Sequence, residues 1–367
     1  MARQLRNCTY CLPRRFMGSL WDSSATGAPV RFVIEEADWA IRWVGEHVRD
    51  EINRVTPGMV AVTTKPAEVQ GRIVHFGSQY MWLSWGRAMG RSNRYVTSFF
   101  HGKREDGPEV ARHIDQFLAS ASRLARIVVS NSLVEERLIG WGIPRDQVVR
   151  IPIGVDTRLF VPPTADQRRD ARAVFGIADR HVVIGSFQKD GTGWGDGMEP
   201  KLIKGPDVFV DVVAKLAREF PVFVLLTGPA RGFIKGRLDR LGIPYAHTYL
   251  AQHADLVRCY HALDVYVVSS REEGGPMGLM ESMASGVPIV STRVGMAPDL
   301  IVDGQTGGLA EPGDVDGLVA KATQVLLAES RQRAVQLSAA RTAVEACDWS
   351  IVGGDHLQKV YLPLIGR

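Results

Sequence analysis

Residues 273–281 read EGGPMGLME, with Glu273 and Glu281 eight positions apart and three glycines and a proline between them. Carboxylates accept hydrogen bonds from vicinal hydroxyls and are poor partners for phosphate. A helix start has the opposite preference, because its first N–H groups lack helical partners and carry a partial positive charge. Pro276 suits a first helical turn, where its missing N–H removes nothing. Gly274 and Gly275 let the backbone approach a ligand closely. The amides of Met277, Gly278 and Leu279 would then point out of the helix start. Such a stretch fits a ligand with phosphates in the middle and a polyol at each end, the shape of a nucleotide sugar. An ordinary strand–loop–helix with surface acids would spell the same letters.

Positioning these groups requires a strand ending near Ser270 and a helix opening near Pro276. The surrounding pattern supplies both. Short apolar runs at 30–35, 58–64, 71–78, 94–103, 126–132 and 148–154 read as strands, with helical spacing over 38–55, 109–125 and 132–143. Pro162-Pro163 breaks the pattern and a polar helix follows. It then restarts with strands at 181–187, 221–228, 263–270 and 286–292, and helices at 205–220, 276–285 and 314–330. Alternating apolar strands and helices argue for parallel, doubly wound sheets, and the alternation occurs twice. The expected fold class is α/β, two Rossmann-like domains, with ligands in the cleft outside the strands' carboxyl ends.

Bulk properties exclude several classes. With 367 residues, 45% hydrophobic and 23% charged, the chain is long enough for two cores and is not low-complexity. The longest apolar runs, such as PVFVLL (221–226), are far short of the about 20 residues a membrane helix needs. The leading MARQLRNCTYCLPRRFMG has charge but no apolar core of a secretory signal, so a cytoplasmic site is expected. Cys8 and Cys11 form a lone CxxC without a second pair, which reads as reduced thiols rather than a zinc site. Residues 1–160 hold 22 Lys+Arg against 16 Asp+Glu, a net of +6, while the remainder holds 22 against 24, a net of −2. A basic front half suits an anionic membrane face or substrate, and equally an ordinary solvated surface. No nucleic-acid partner is expected.

The stretch EGGPMGLMESMASGVPIVST resembles the E-x7-E region of retaining GT-B glycosyltransferases, the family 4-like "glycosyl transferases group 1" that includes many bacterial hexosyltransferases. IPIGVDTRLFVP (151–162) is similar to that family's interdomain strand and linker, LIKGPDVFVDVVAKL (202–216) to its KG helix start, and CDWSIVGGDHLQKVY (347–361) to its closing helix. The likeness covers roughly 95–365 well and 1–90 poorly. It implies a GT-B fold with an acceptor-side domain over 1–160, a donor domain over 161–348, and a C-terminal helix, 349–367, crossing back to the first. It further implies that Glu281 holds the ribose hydroxyls, that Glu273 contacts the donor sugar, and that Lys204 neutralises the pyrophosphate. The amides from Gly275 to Leu279 would meet the sugar and distal phosphate. His101, ending a first-domain strand, would face the donor sugar and acceptor.

Departures from the pattern are specific. Where the family usually offers an arginine, this chain has Ser186 in GSFQKDG, and Lys189 is the nearest cation. Lys189 is the expected substitute, although a solvated loop lysine would look the same. The usual glycine-rich first loop is replaced by EEADWAIRW (35–43), without glycine. The insertion DGTGWGDGMEPK (190–201) has glycines at 191, 193, 195 and 197 and reads as a mobile flap carrying Trp194, or as a plain surface insertion. Gly295-Met296 stands where two glycines are frequent, and Asp299 where glutamate is. The DVD at 314–316 follows EPG and opens a helix, so Asp314 reads as an N-cap rather than a metal ligand.

The expectation is a retaining, metal-independent transferase without a cofactor. It would take a nucleoside-diphosphate sugar as donor and a glycan or lipid-linked glycan hydroxyl as acceptor, with peripheral membrane contact through the basic half at the inner membrane face. The alternatives are a GT-B phosphorylase or epimerase, and a non-catalytic nucleotide-sugar-binding module.

Overall fold

The computed structural model describes residues 27–365 apart from 37–39, 194 and 251. Cys8, Cys11 and Trp194 lie outside the described residues, as does the leading segment. The chain forms two six-stranded parallel sheets. The first contains β1 (Val30–Val33), β2 (Val60–Thr63), β3 (Ile73–Phe76), β4 (Arg94–Phe99), β5 (Leu124–Val129) and β6 (Val148–Arg150), in the order β2-β1-β3-β4-β5-β6. The second contains β7 (Val182–Phe187), β8 (Val222–Thr227), β9 (Tyr245–Thr248), β10 (Val265–Val268), β11 (Ile289–Thr292) and β12 (Gly308–Ala310), in the order β12-β11-β10-β7-β8-β9. Strand order reverses between β1 and β3 and between β7 and β10, the switch points where such sheets open a crevice. The near-continuous apolar strands follow from burial on both faces.

Tight helix contacts fix the layers. Helix Ala40–Val55 buries Gly45, Val48 and Ile52, and a Cβ on Gly45 would meet the Ile34 side chain at 2.5 Å. The linker is stitched to the C-terminal segment: Val155 N–H donates to Cys347 O at 2.9 Å and Trp349 N–H to Val155 O at 3.2 Å. Beyond it, helix Trp349–Asp355 and the π-helical turn His356–Tyr361 bury Trp349, Val352, Leu357, Val360 and Tyr361 among Val30, Phe32, Val48 and Ile52 of the first sheet's core. His75 on β3 bridges the Tyr361 hydroxyl, at 2.7 Å, and Ser98 Oγ, at 3.1 Å.

Several elements differ from expectation. The helix expected over 109–125 ends at Ser120, because Leu124 already pairs with Tyr95 on β4. Helices Gln79–Trp85, Gly232–Leu241 and Ser330–Glu345, and the short edge strands β9 and β12, were not expected. Asp314 caps helix Val315–Leu327, accepting from Gly317 N–H at 2.8 Å. Cys259 and Cys347 are buried free thiols, each pushed up to about 12 by burial. Among the described residues no helix is long and apolar enough to cross a membrane.

Candidate functional site

A cavity of about 890 Å³ opens between the carboxyl ends of the two sheets. Its second-domain floor is the segment between β10 and helix Met277–Ala284. Glu273 is 6% exposed and doubly held: Lys204 Nζ donates to Oε2 at 2.6 Å and Ser270 Oγ to Oε1 at 2.8 Å. Lys204 ends a single 3₁₀ turn, Leu202–Lys204, that is closed by Gly205 at φ +63°. A Cβ on Gly205 would lie 1.9 Å from Ser269 O, so this Lys-Gly turn cannot take a larger residue without moving β10.

Glu281 is 4% exposed, one turn into the helix, with one neighbour on each oxygen. His253 Nε2 lies 2.8 Å from Oε1, and the Tyr260 hydroxyl donates to Oε2 at 2.7 Å. A carboxylate has about four lone-pair sites, so these two contacts leave acceptor capacity for vicinal hydroxyls. The glycines between the two acids have packing reasons as well. A Cβ on Gly274 would meet Phe100 at 2.7 Å, on Gly275 the Ile153 side chain at 2.7 Å, and on Gly278 the Tyr266 hydroxyl at 2.1 Å. Gly274 and Gly275 thus let this segment touch the first domain and the linker.

Leu279 requires a correction. Its side chain is fully buried and its N–H donates to Pro276 O at 2.9 Å, so its amide is not available to a ligand. The first helical turn tightens on itself and satisfies that donor internally. The remaining sequence candidates come together: His101, Lys189, Lys204, Glu273, Gly274, Gly275, Met277, Gly278 and Glu281 all line the cavity.

His101 follows β4 on the opposite wall, and its backbone carbonyl accepts from Gln79 Nε2 at 3.1 Å. Burial, then the charge of Lys204, holds its imidazole below the usual range, which favours the neutral ring at pH 7. Burial also lowers Lys189, and it lowers Lys201, on which Lys204 acts in the same direction. Helix Ala40–Val55 brings Ala40, Ile41, Trp43 and Val44 to the wall where a glycine-rich loop was missing.

Arg231 is fully buried behind the site, and its Nη1 donates to Ser186 O, Gln188 O and Thr227 O at 2.8, 2.6 and 2.9 Å. It gathers the ends of β7 and β8 beneath the turn that carries Lys189. Asp190 pairs with it at 3.1 Å, and burial, opposed by Arg231, pushes this carboxyl up to about 6. The 190–201 insertion is a small hairpin closed by Thr192 N–H to Glu199 O at 2.8 Å and Lys201 N–H to Asp190 O at 2.7 Å. Cβ atoms on Gly191 and Gly197 would meet Ala230 O at 2.3 and 2.1 Å, so these glycines seat the hairpin on its neighbour rather than loosen it.

Glu272, Lys201, Arg231, His253 and Tyr260 carried no spacing signal. The nearest to one was Lys201, three residues before Lys204 and immediately ahead of its short turn.

Residues 199–342 match the family described as glycosyl transferases group 1. This segment belongs to that family. The match spans the Lys-Gly turn, both acids and the helix start. Over 242 residues the chain is 30% identical to the sulfoquinovosyl transferase SQD2 of Arabidopsis thaliana, covering 64% of this chain and 44% of that one. Over 263 residues it is 27% identical to the MMP alpha-(1->4)-mannosyltransferase of Mycolicibacterium hassiacum, covering 68% and 58%. The chain thus spans about half the length of these curated relatives. The solved structure of Anabaena HepE in complex with UDP and glucose superposes with a TM-score of 0.72 at 15% identity, covering 91% of this chain and 99% of that one. The fold is GT-B, and the group 1 segment holds strands β8 to β12 of its second sheet with the helices between them.

Proposed function

We propose that this chain is a retaining glycosyltransferase that moves a sugar from a nucleoside-diphosphate sugar to a hydroxyl acceptor. One observation carries the reading: two buried carboxylates, Glu273 and Glu281, flank a helix start on one cavity floor, with Lys204 ion-paired to the first. In this reading Glu281 accepts from the ribose hydroxyls and Glu273 from the donor sugar. Lys204, Lys189 and the amides of Gly275, Met277 and Gly278 face the pyrophosphate. As the anomeric C–O bond to the distal phosphate breaks, negative charge builds on that phosphate. Positive groups already in place stabilise it, usually the largest catalytic contribution. The acceptor oxygen bonds to the anomeric carbon from the same face, and its proton passes to the leaving phosphate. His101 hydrogen-bonds the sugar or the reacting hydroxyl. With lysines and a helix start for the phosphates, the step calls for no divalent ion.

The relatives' names, a sulfoquinovosyl transferase and a mannosyltransferase, support sugar transfer as the reaction. The basic excess of residues 1–160 fits an acceptor at an anionic membrane face. The test is a thermal-shift panel of nucleotide sugars and free nucleoside diphosphates on wild type and Glu281→Ala. One base should stabilise the wild type by about 2.7 kcal/mol at a hundredfold excess over Kd. The variant should lose most of that shift. Equal stabilisation of both proteins would remove the ribose contact from the account.

A further inference from the structure

Glu272, the residue before the first acid of the motif, turns away from the cavity into the other domain. It is 6% exposed. Its Oε1 accepts from Arg137 Nη1 at 2.6 Å and from Gly102 N–H at 3.3 Å, and its Oε2 pairs with Lys103 Nζ at 2.9 Å. Arg137 Nη1 also donates to Gly102 O at 3.0 Å. The peptide groups of Gly102 are therefore gripped from both sides, the N–H by Glu272 and the carbonyl by the arginine that Glu272 itself holds. Gly102 sits at φ +124°, a backbone state that L side chains rarely adopt. It directly follows His101, and Glu272 directly precedes Glu273.

Two more cross-domain contacts lie alongside. Gly274 O accepts from Asn131 Nδ2 at 2.7 Å and from Ser130 Oγ. Asp299 accepts from Ser132 N–H at 2.8 Å. Burial alone would raise the Glu272 carboxyl, but the hydrogen bonds and charges of Arg137, then Lys103, outweigh it and hold the group below its usual range. The contact is thus fully ionised at neutral pH.

We propose that Glu272 is a positioning residue that clamps the His101–Gly102–Lys103 segment of the first domain and sets His101 in register with Glu273 across the cavity. The proposal rests on the transferase reading for its consequence but not for its geometry. Nucleotide binding uses second-domain groups and does not need the clamp, whereas transfer needs both walls aligned.

The test uses the full chain with Glu272→Ala, which removes the acceptor, and with Glu272→Gln, which keeps one acceptor oxygen for Gly102 N–H. Hydrogen exchange of the Gly102 amide should quicken in Glu272→Ala and by less in Glu272→Gln. Transfer kcat should fall at least about tenfold in Glu272→Ala, with the Kd for nucleoside diphosphate within twofold of wild type, and by less in Glu272→Gln. Unchanged exchange at Gly102 overturns the clamp whatever the activity. A loss confined to nucleotide Kd overturns the alignment role. Should the wild type transfer nothing from any donor, the transferase reading falls while the exchange measurement still decides the clamp.

Discussion

Lys204 Nζ stands 2.6 Å from Glu273 Oε2, so the cation assigned to the pyrophosphate is ion-paired with the acid assigned to the sugar. The lysine is about a quarter exposed and the glutamate almost wholly buried. Each therefore depends on the other when the cavity holds no donor. Lys204→Met leaves Glu273 a buried charge short of a partner, and should cost about 1–3 kcal/mol of stability. Adding Glu273→Gln should restore most of the melting temperature without restoring transfer. A double variant as unstable as the single one would contradict a paired role.

Gly278 illustrates how the motif serves packing and ligand together. A methyl there would overlap the Tyr266 hydroxyl, which itself accepts from Phe187 N–H at 3.0 Å. Gly278→Ala should destabilise the donor side by about 1–3 kcal/mol through overpacking. Tyr266→Phe, by removing the clashing oxygen, should relieve part of that loss in the double variant. Melting curves of the four proteins check the coupling.

The C-terminal crossover predicts a particular acid response. Burial holds His356 down to about 4 and His75 well below its usual value, so both are neutral in the fold. The unfolded chain takes up these protons near 6.5, and the folded one resists until far lower pH. Stability should therefore be full above about pH 6.5 and fall as pH drops towards 4, by up to about 1.4 kcal/mol per pH unit for each histidine. Denaturant titrations at pH 7 and pH 5, on wild type and His356→Gln, measure it. The variant should show the shallower slope.

Strand periodicity made both sheets legible, because parallel strands buried on both faces spell continuous apolar runs such as VFVLLT on β8. The two acids and the Lys-Gly turn were legible because their spacing is local. β12 has three residues and β9 four, too short to stand out against a loop. Helix Gln79–Trp85 did carry a local sign: Ser78 caps it, accepting from Met81 N–H at 3.3 Å. Glu272 was silent because its partners at 102, 103 and 137 lie more than a hundred residues away. His253 and Tyr260 stand nearer, 28 and 21 residues before Glu281, but no helical or strand spacing links them to it, and only the fold brings them together. The glycines of the 190–201 insertion misled, since close approach to Ala230, rather than freedom, explains Gly191 and Gly197.

The most direct test of the central claim is the configuration at the transferred sugar's anomeric carbon. With the donor that the binding panel selects, proton NMR of the first-formed product should show the donor's own anomeric configuration, at a rate unchanged by EDTA. An inverted centre would contradict same-face attack, and a rate lost with EDTA and regained with a divalent ion would contradict phosphate stabilisation by the protein's own cations.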